Sequence, residues 1–368
     1  MPGSHKTIFH FLLLYPFSLI YGIIIFIRNL LYHHHILKSK EFNTKIISVG
    51  NLTVGGTGKT PHVEYLINHL KEQYQLGVLS RGYKRKTKGF RYVQQDDHYT
   101  QTGDEPLQIK KKHPETIVAV DEKRKNGIER LEEVHADLDA IILDDAFQHR
   151  AVNPGLSILL IDYNNPVTKD YLLPYGRLRE PAYQRKRANI LIVTKTPEDV
   201  KPLDKRLFIK RLKPYPYQSI FFTKIKYSKS LVAIYTKEKI ALSELKTENP
   251  CILLVTGIAN SKPLTDKLKK YTPRFYHEKY PDHHHYNDKD LRYLEKKYNQ
   301  ITKKENKSPL LITTEKDALR LATHKDHPLV KKCYYLPINI KFIDNQGKNF
   351  NQLINDFLRR RKKKEILI

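Results

Sequence analysis

The stretch KIISVGNLTVGGTGKTP, from Lys45 to Pro61, decides the fold of this chain. It opens with a short apolar run, which predicts a buried strand. A glycine-rich loop follows and ends in Lys59 and Thr60. In the next segment, HVEYLINHLKEQ, apolar residues recur at the spacing of a helix. A strand, a glycine loop and a helix in this order are the setting of a phosphate-binding P-loop.

One position of the loop departs from the usual P-loop pattern, G-x-x-x-x-G-K-[ST]. Thr53 stands where that pattern has its first glycine. The glycines that remain let backbone N–H groups turn towards anionic oxygens. Lys59 supplies a cation for the terminal phosphates, and a plain glycine turn would not explain the Lys-Thr pair. We therefore expect a nucleotide to bind along the whole loop, at Thr53, Val54, Gly55, Gly56, Thr57, Gly58, Lys59 and Thr60.

Two carboxylates follow another apolar run. The segment DAIILDD, residues 139–145, predicts a buried strand that ends in Asp144 and Asp145. A nucleotide site of this class needs an acidic residue at the end of a neighbouring strand to hold Mg²⁺. We expect Thr60, Asp144 and Asp145 to form the metal site. The sequence leaves open which aspartate is the direct ligand.

The residues after a further apolar strand bear on the choice of nucleotide. GTPases carry Asn-Lys-x-Asp at such a place. Here TKTP, from Thr194 to Pro197, keeps the lysine but has proline where the base-reading aspartate would stand. The segment therefore favours ATP.

The N-terminal run IFHFLLLYPFSLIYGIIIFI, from Ile8 to Ile27, contains no charged residue. A helix of about 20 residues spans ~30 Å, the hydrocarbon core of a bilayer. A signal peptide would be shorter and would end in a small-residue cleavage site; a buried core helix is the other alternative. We expect a membrane anchor, with the basic residues after it, such as Arg28 and Lys38, keeping the rest on the cytoplasmic face. Whether the helix crosses the bilayer or lies in its interface stays open.

Short apolar strands alternate with helical segments along the rest of the chain. The alternation predicts an α/β fold of the P-loop NTPase kind, with a mostly parallel sheet flanked by helices. A polar, proline-bearing region near residues 201–216 precedes a second, smaller α/β domain. We expect a membrane-anchoring helix in residues 1–35, a P-loop core domain in 36–215 and the smaller domain in 216–368.

The composition is strongly basic, with 66 Lys and Arg against 39 Asp and Glu and a net charge of +27. Such a field attracts nucleic acid, an anionic bilayer or a phosphorylated substrate, although a lysine-rich proteome would give the same charge. The sequence has no aromatic-basic RNA-binding motif and no zinc-knuckle spacing, so we expect no nucleic-acid partner. Its two cysteines cannot form a disulfide framework and fit a reducing compartment.

The order of motifs along nearly the full chain resembles one family, the tetraacyldisaccharide 4′-kinases, which are membrane-associated lipid A 4′-kinases of Gram-negative bacteria. Each motif is weak alone, but their order is specific. The loop of that family also ends in GGTGKT after a non-glycine start, so Thr53 agrees with it. Besides the apolar helix, the resemblance lies in GNLTVGGTGKTP (Gly50 to Pro61), LSRGYKRK (Leu79 to Lys86), GDEP (Gly103 to Pro106), LDDAFQHR (Leu143 to Arg150), LLPYGRLREP (Leu172 to Pro181), VTKTP (Val193 to Pro197), TGIANSKP (Thr256 to Pro263), YPDHHHY (Tyr280 to Tyr286) and TTEKDALRL (Thr313 to Leu321).

The resemblance implies an ATP-dependent kinase of lipid A biosynthesis. The family transfers the γ-phosphoryl of ATP to the 4′-hydroxyl of a tetraacylated disaccharide 1-phosphate and forms lipid IVA. This substrate has acyl chains in the membrane and sugars at its surface, which suits an anchored, basic enzyme. The resemblance implies ATP and Mg²⁺ as cofactors and the lipid and the inner-membrane surface as partners. We expect no obligate protein partner.

The resemblance also implies the groups that handle the proton of the sugar hydroxyl. It points to Asp104 in GDEP, a carboxylate that can relieve the hydroxyl of its proton. Its partner is the histidine after aspartate in YPDHHHY, here His283, which directly follows Asp282. The three consecutive histidines leave a metal site as an alternative. Lys59 completes this catalytic set by holding the β- and γ-phosphates.

Arginines are the candidates for further phosphate contacts, because the planar guanidinium grips phosphate oxygens at two points. Among Arg81, Arg177 and Arg179 we select Arg179, in RLREP, for phosphate stabilisation at the active site. The residues Glu105, Gln148 and His149 belong either to the surroundings of the site or to structural salt bridges and caps.

A P-loop ATPase or GTPase coupled to transport or protein targeting is the alternative function. It would share the loop and the paired aspartates. It would need neither Asp104 nor His283, and it would hydrolyse nucleotide without a lipid acceptor.

Overall fold

The computed structural model describes residues 4–360, with side chains from residue 11 onwards. Residues 1–3 of the expected anchor and 361–368 of the expected second domain lie outside the described residues. The helices are α1 (Ser4–His33), α2 (Lys59–Leu70), α3 (Tyr99–Thr102), α4 (Asp104–Lys112), α5 (Arg124–Val134), α6 (Pro202–Leu212), α7 (Leu242–Glu248), α8 (Lys262–Leu268), α9 (Asp288–Glu305), α10 (Glu315–Leu321), α11 (Pro328–Lys331) and α12 (Gly347–Arg359). The strands are β1 (Lys45–Asn51), β2 (Leu76–Ser80), β3 (Arg91–Tyr92), β4 (Ile117–Val120), β5 (Ala140–Asp144), β6 (Leu156–Asp162), β7 (Ile190–Thr194), β8 (Ser219–Tyr227), β9 (Ser230–Ala233), β10 (Lys239–Ala241), β11 (Ile252–Thr256), β12 (Phe275–Lys279), β13 (Leu310–Thr314), β14 (Cys333–Leu336) and β15 (Ile338–Phe342).

The chain divides into two compact units. Unit 1 comprises Met1–Gln95, Ile109–Ile225 and Ile340–Ile368, and unit 2 comprises Asp96–Gln108 and Lys226–Asn339. This division differs from the expected boundaries. The helix α1, expected as a separate anchor, belongs to unit 1, and this unit continues to Ile225 instead of ending at residue 215. Residues 96–108 belong to unit 2, although they precede most of the P-loop core in sequence. The C-terminal segment returns to unit 1, because β15 forms the edge of the unit 1 sheet beside β8.

Unit 1 is built on a nine-stranded sheet in the order β15-β8-β7-β6-β1-β5-β2-β4-β3. The pairings from β8 to β4 are parallel, and β3 pairs antiparallel with β4. The strands β2, β5 and β7 are buried along their whole length. A parallel strand buried on both faces must be apolar at nearly every position, which explains the continuous apolar runs of the sequence. The predicted α/β class with a large parallel sheet is confirmed.

The sheet order places the P-loop beside the paired aspartates. β1 lies between β5 and β6, and Val49 is in register with Asp144 of β5. Parallel strands end at the same edge, so the loop that follows β1 emerges next to the end of β5. Ligands of open α/β sheets bind at this edge, where neighbouring connections leave in opposite directions.

The helix α1 packs one face against the rest of unit 1. On this face the Ser18 hydroxyl accepts a backbone N–H at 2.9 Å, and the Tyr21 hydroxyl donates to the Arg179 carbonyl at 2.8 Å. The Asn29 carbonyl accepts from the Arg150 guanidinium at 3.0 Å. Among the described residues one helical stretch, Phe11–His33, is long and apolar enough to cross a membrane, by length and composition alone. The face opposite the packed one is apolar and exposed, and it carries Phe17, Ile20, Ile23, Ile24 and Ile27.

Unit 2 contains a six-stranded sheet in the order β10-β9-β14-β13-β11-β12. Four strands are parallel, and β9 pairs antiparallel with both β14 and β10. Its core packs alternate residues of β11, such as Leu253 and Val255, with Leu291 and Leu294 of α9. The parallel strands bring the end of β11 and the start of α10 to one edge of this sheet.

Candidate active site

The P-loop of unit 1 has the backbone geometry that anion binding requires. Gly55 and Gly58 have φ angles of 99° and 89°, in the left-handed region that residues with a Cβ rarely adopt. Gly58 is the N-cap of α2, so the N-terminus of this helix lies at the end of the loop. The Thr60 side chain is buried in the first turn of the helix. These features suit a loop that holds anionic oxygens.

The start of the loop pairs with residues 177–179. Thr53 forms an isolated antiparallel bridge with Leu178, and the Val54 N–H donates to the Arg177 carbonyl at 2.8 Å. The Arg179 N–H donates to the Leu52 carbonyl at 2.7 Å. The N–H of Val54 is therefore engaged by the Arg177 carbonyl. The residue in place of the usual first glycine supports the loop through this bridge.

Asn51, which the sequence interpretation did not select, links three parts of the site. Its side chain is fully buried, and its Nδ2 donates to the Thr57 hydroxyl at 2.9 Å. Its Oδ1 accepts from the Arg179 guanidinium, and its carbonyl accepts from Gln148 Nε2 at 2.8 Å. Asn51 is the last residue of β1, directly before the loop. That position, a polar side chain at the end of an apolar strand, is the signal that could have identified it.

Asp145 lies between two cations of unit 1. Arg179 binds it with both terminal nitrogens, at 2.8 and 3.3 Å, and Lys59 Nζ lies 3.7 Å from its Oδ2. Burial opposes ionisation, but Lys59 and Arg179 outweigh it and lower the pKa of Asp145 to about 2. Asp145 also has a φ of 52°, an uncommon conformation for a residue with a Cβ. Such backbone strain concentrates at functional sites, and the structure brings predicted residues Lys59, Asp145 and Arg179 together.

The neighbouring Asp144 is fully buried at the end of β5. Its Oδ2 lies 3.5 Å from the Ser80 hydroxyl, and its carbonyl accepts from Arg124 at 3.1 Å. Arg124 is itself buried in the first turn of α5; burial lowers its pKa to about 10, while Asp144 and Asp145 raise it. The guanidinium is therefore a permanent positive charge behind the two carboxylates at neutral pH. The sequence interpretation did not select Arg124.

The donors at this edge fit a magnesium ion bound together with a nucleotide. Thr60, Asp144 and Asp145 offer oxygen atoms, which Mg²⁺ prefers, and Asp145 is ionised at neutral pH. Within residues 4–360 no group of three or more His, Cys, Asp or Glu side chains could hold a metal ion. Mg²⁺ typically takes one or two carboxylates and completes its shell with phosphates and water. The three consecutive histidines, the alternative metal site, therefore form no such group among the described residues.

The other predicted residues of unit 1 either lie at the surface or support the residues around the two aspartates. Arg177 is paired with Asp170 at 2.9 Å and is largely exposed. Gln148 supports Asn51, as described above. His149 lies near Arg124 and Arg81, and burial together with these charges lowers its pKa to about 3. This histidine is neutral at physiological pH and belongs to the surroundings of the aspartates.

The second predicted pair forms within unit 2. Asp104 begins α4 in the segment 96–108, and His283 lies in the loop after β12. The two residues are 179 positions apart, yet His283 Nδ1 lies 3.0 Å from Asp104 Oδ2. Asp104 is buried, with 6% of its surface exposed, and His283 has a φ of 59°. The structure thus brings together two residues that the resemblance alone had selected.

The choice among the three histidines is clear in the structure. His284 Nε2 lies 2.9 Å from Asp290, and His285 Nδ1 lies 3.1 Å from the Tyr99 hydroxyl. His283 is the member of the triplet that faces Asp104.

Cations surround the Asp104 carboxylate. The Arg320 guanidinium bonds to its Oδ2, and Lys316, which is paired with Glu105, adds a further positive charge. Burial opposes ionisation of Asp104, yet the His283 hydrogen bond and the charges of Lys316 and Arg320 hold its pKa well below its usual range. Asp104 is therefore ionised at every physiological pH.

The fold and these groups define a class of protein. A P-loop with paired carboxylates, a lysine and an arginine is the machinery of nucleoside triphosphate phosphoryl transfer. A buried Asp–His pair adds a means of removing a proton from an acceptor hydroxyl. Together they describe a P-loop kinase.

Comparisons with known proteins identify the family. The family profile described as LpxK, tetraacyldisaccharide-1-P 4′-kinase, matches residues 10–359. The tetraacyldisaccharide 4′-kinase of Phocaeicola vulgatus is 44% identical over 351 residues, which cover 94% of this chain and 95% of that protein. The enzyme of the same name from Flavobacterium johnsoniae is 43% identical over 348 residues, covering 94% and 97%. This chain belongs to the tetraacyldisaccharide-1-P 4′-kinase family.

A solved structure agrees with this assignment. LpxK from Aquifex aeolicus, described as the "apo" form in complex with ATP, superposes with a TM-score of 0.71 at 29% sequence identity. The match covers 93% of this chain and 98% of the Aquifex chain. The predicted family, fold class and kinase activity of the chain are confirmed.

Proposed function

We propose that this protein transfers the γ-phosphoryl group of ATP to the 4′-hydroxyl of a tetraacyldisaccharide 1-phosphate, a step of lipid A biosynthesis. The observation that carries the proposal is the buried Asp104–His283 pair, with 3.0 Å between Nδ1 and Oδ2. A P-loop ATPase or GTPase of transport or targeting has no need for such a pair. A kinase needs it, because its acceptor is a hydroxyl group that must lose a proton.

The residues of unit 1 have roles in holding the donor. We assign phosphate binding to the N–H groups of residues 55–60 and to Lys59, at the N-terminus of α2. Arg179 neutralises charge that develops on the transferred group. Thr60 and the carboxylates of Asp144 and Asp145 would hold Mg²⁺, which when bound neutralises phosphate oxygens.

The proton balance of the reaction assigns roles to the pair in unit 2. The sugar oxygen forms a bond to the γ-phosphorus, the bond from that phosphorus to the bridging oxygen breaks, and ADP leaves. The hydroxyl proton passes to the Asp104–His283 pair. Because the pKa of Asp104 is held so low, the proton comes to rest on His283, and Asp104 compensates the positive charge that the ring gains. The sequence-based expectation gave the removal of the proton to Asp104 with His283 as its partner; the low pKa of Asp104 favours His283 as the group that finally holds the proton.

A direct assay tests the function. The protein is incubated with radiolabelled ATP, Mg²⁺ and tetraacyldisaccharide 1-phosphate in detergent, and the lipid products are separated. We expect a doubly phosphorylated lipid from the wild type, and a loss of turnover of roughly 10²–10⁴-fold in Asp104→Asn and in His283→Gln. ATP hydrolysis without a labelled lipid, or full turnover in both variants, would contradict the proposal.

We also propose that α1 lies in the cytoplasmic interface of the inner membrane and does not cross it. Its bonds to the rest of unit 1 extend from Ser18 to Asn29, which is about 16 Å of helix. A crossing helix would have to place these residues, and the polar surface that they contact, in hydrocarbon. A helix in the interface instead buries the exposed apolar face while the packed face stays on the protein. The lipid substrate and the membrane surface are thus reached from one side.

Vesicle binding tests this placement. We expect the wild type to sediment with vesicles of anionic phospholipid, and Ile20→Glu/Ile24→Glu to remain in solution while it still phosphorylates detergent-dispersed lipid. The control is Leu203→Glu, an exposed apolar position on α6, which should sediment like the wild type. Binding of the double variant at the wild-type level would contradict the proposal. So would protection of an N-terminal tag from protease in inside-out membrane vesicles.

A further inference from the structure

The Asp104 carboxylate depends on a residue of α10 to which neither the sequence interpretation nor the family comparison gives a role. Arg320 bonds to Asp104 Oδ2 across 216 positions of sequence. The Arg320 side chain is 1% exposed, and its Nη2 also lies 3.3 Å from His283 Nδ1. The remaining oxygen of Asp104 accepts the N–H of Glu105 at 3.1 Å. Arg320 therefore contacts both members of the pair at once.

The position of Arg320 is itself fixed by a second carboxylate. Its Nη1 donates to Asp317 Oδ1 at 2.9 Å and to the Gly257 carbonyl at 3.1 Å. Asp317 Oδ2 accepts from the Thr314 hydroxyl at 2.6 Å and from the Gly257 N–H at 2.9 Å. Asp317 is fully buried at the start of α10. A buried guanidinium with this many acceptors has one orientation, which directs its other nitrogen towards Asp104.

Charge gives this arrangement a chemical consequence. The titratable groups beside Asp104 include His283, Lys316, Arg320 and Tyr99. Glu105 pairs with Lys316, and Asp282 Oδ2 lies 3.9 Å from His283 Nε2. A cation beside both members of a coupled pair opposes the uptake of a proton by either of them. Arg320 therefore keeps the pair in the proton-accepting form at lower pH than the pair would maintain alone.

We propose that Arg320, held by Asp317, is a positioning residue of this kinase: it orients the Asp104 carboxylate towards His283 and places a buried positive charge beside both residues. The proposal rests on the catalytic role of the Asp104–His283 pair stated above. Arg320 acts through the pair and has no direct role on the substrate.

Three variants of the full-length protein test the proposal, with lipid phosphorylation measured between about pH 5.5 and 9. Arg320→Met removes both the positive charge and the planar guanidinium. Arg320→Lys keeps the charge but loses the two-point contact. Arg292→Met, an exposed arginine on α9 of the same unit, is the matched control. We expect kcat of Arg320→Met to fall about 100-fold with the KM for ATP little changed. The acid limb of its profile of kcat against pH should move up by about one pH unit.

The lysine variant separates charge from geometry. We expect Arg320→Lys to lose about tenfold in kcat while its acid limb stays at the wild-type pH, and Arg292→Met to match the wild type throughout. An unmoved acid limb in a folded Arg320→Met overturns the proposal, because a merely structural role lowers only the folded fraction. If Arg320→Met does not fold, unchanged kcat in Arg320→Lys overturns it instead. A wild type without lipid product, or a fully active Asp104→Asn, would refute the proposed function and not the role of Arg320.

Discussion

Replacing Asn51 by alanine removes the side chain that joins the P-loop to Arg179. Asn51 is fully buried, so water cannot substitute for the bonds that are lost. The Thr57 hydroxyl loses its partner at 2.9 Å, and the Arg179 guanidinium loses the Oδ1 acceptor. A neutral hydrogen bond contributes about 0.5–1.5 kcal/mol, and one to a charged group about 1.5–3 kcal/mol. The two together give a loss of about 2–4.5 kcal/mol.

The expected result of Asn51→Ala is a less stable unit 1 and a loop that binds ATP poorly. A loss near 3 kcal/mol corresponds to a fall in the unfolding temperature of about 6–12 °C for a unit of this size. Because Thr57 lies in the loop and Arg179 also binds Asp145, the kcat/KM for ATP should fall at least about tenfold. Thermal unfolding measured with and without ATP and Mg²⁺ should show a smaller stabilisation by the ligand than in the wild type.

The matched control is Asn153→Ala in the same unit. Asn153 is exposed, and its Nδ2 donates to Glu41 at 2.8 Å. This variant removes a similar bond at the surface, where its effect should stay below about 0.5 kcal/mol. If Asn51→Ala matched Asn153→Ala in unfolding temperature and in kcat/KM, the role given to Asn51 would be refuted.

Three further predictions concern the strand β1, the loop and the helix α2. In Gly50→Ala the new Cβ would lie 2.7 Å from Phe147 Cβ, so the free energy of unfolding measured in urea should fall by about 1–3 kcal/mol. The control is Gly56→Ala, where the new Cβ would meet no atom beyond the neighbouring residues within 4 Å. This variant should unfold normally but bind ATP more weakly in calorimetry. Lys59→Met should lower kcat roughly 10²–10³-fold in the lipid assay with little change in unfolding temperature, since its ion pair to Asp145 is long, at 3.7 Å. Burial lowers the pKa of His62 from 6.5 to about 4, so between these pH values the histidine is protonated in the unfolded chain and neutral in the native chain. The contribution of His62 to the free energy of unfolding is therefore fully present above pH 6.5, and up to about 3 kcal/mol of it is lost as the pH drops towards 4. The variant His62→Gln should flatten this dependence on pH in urea titrations. An unchanged dependence would contradict the assignment.

The sequence by itself determined the α/β class, the phosphate loop and the family. These features are local: an apolar run, a glycine loop and a helix lie within a few tens of residues, and each follows from the preferences of neighbours in the chain. The same holds for Asp144 and Asp145, which follow their strand directly. The order of short motifs added Asp104 and His283, which no local pattern would have joined.

The tertiary structure decided which distant residues meet. The placement of residues 96–108 in unit 2 follows from contacts such as that between Asp104 and Arg320, 216 positions apart. The return of the chain to unit 1 at β15 depends on the edge of a sheet that forms from many segments. The bridge that engages Val54 likewise requires residue 177 to lie beside the loop. Spacing along a chain carries no information about such contacts, because sheet order and side-chain packing set them only when the whole chain has folded.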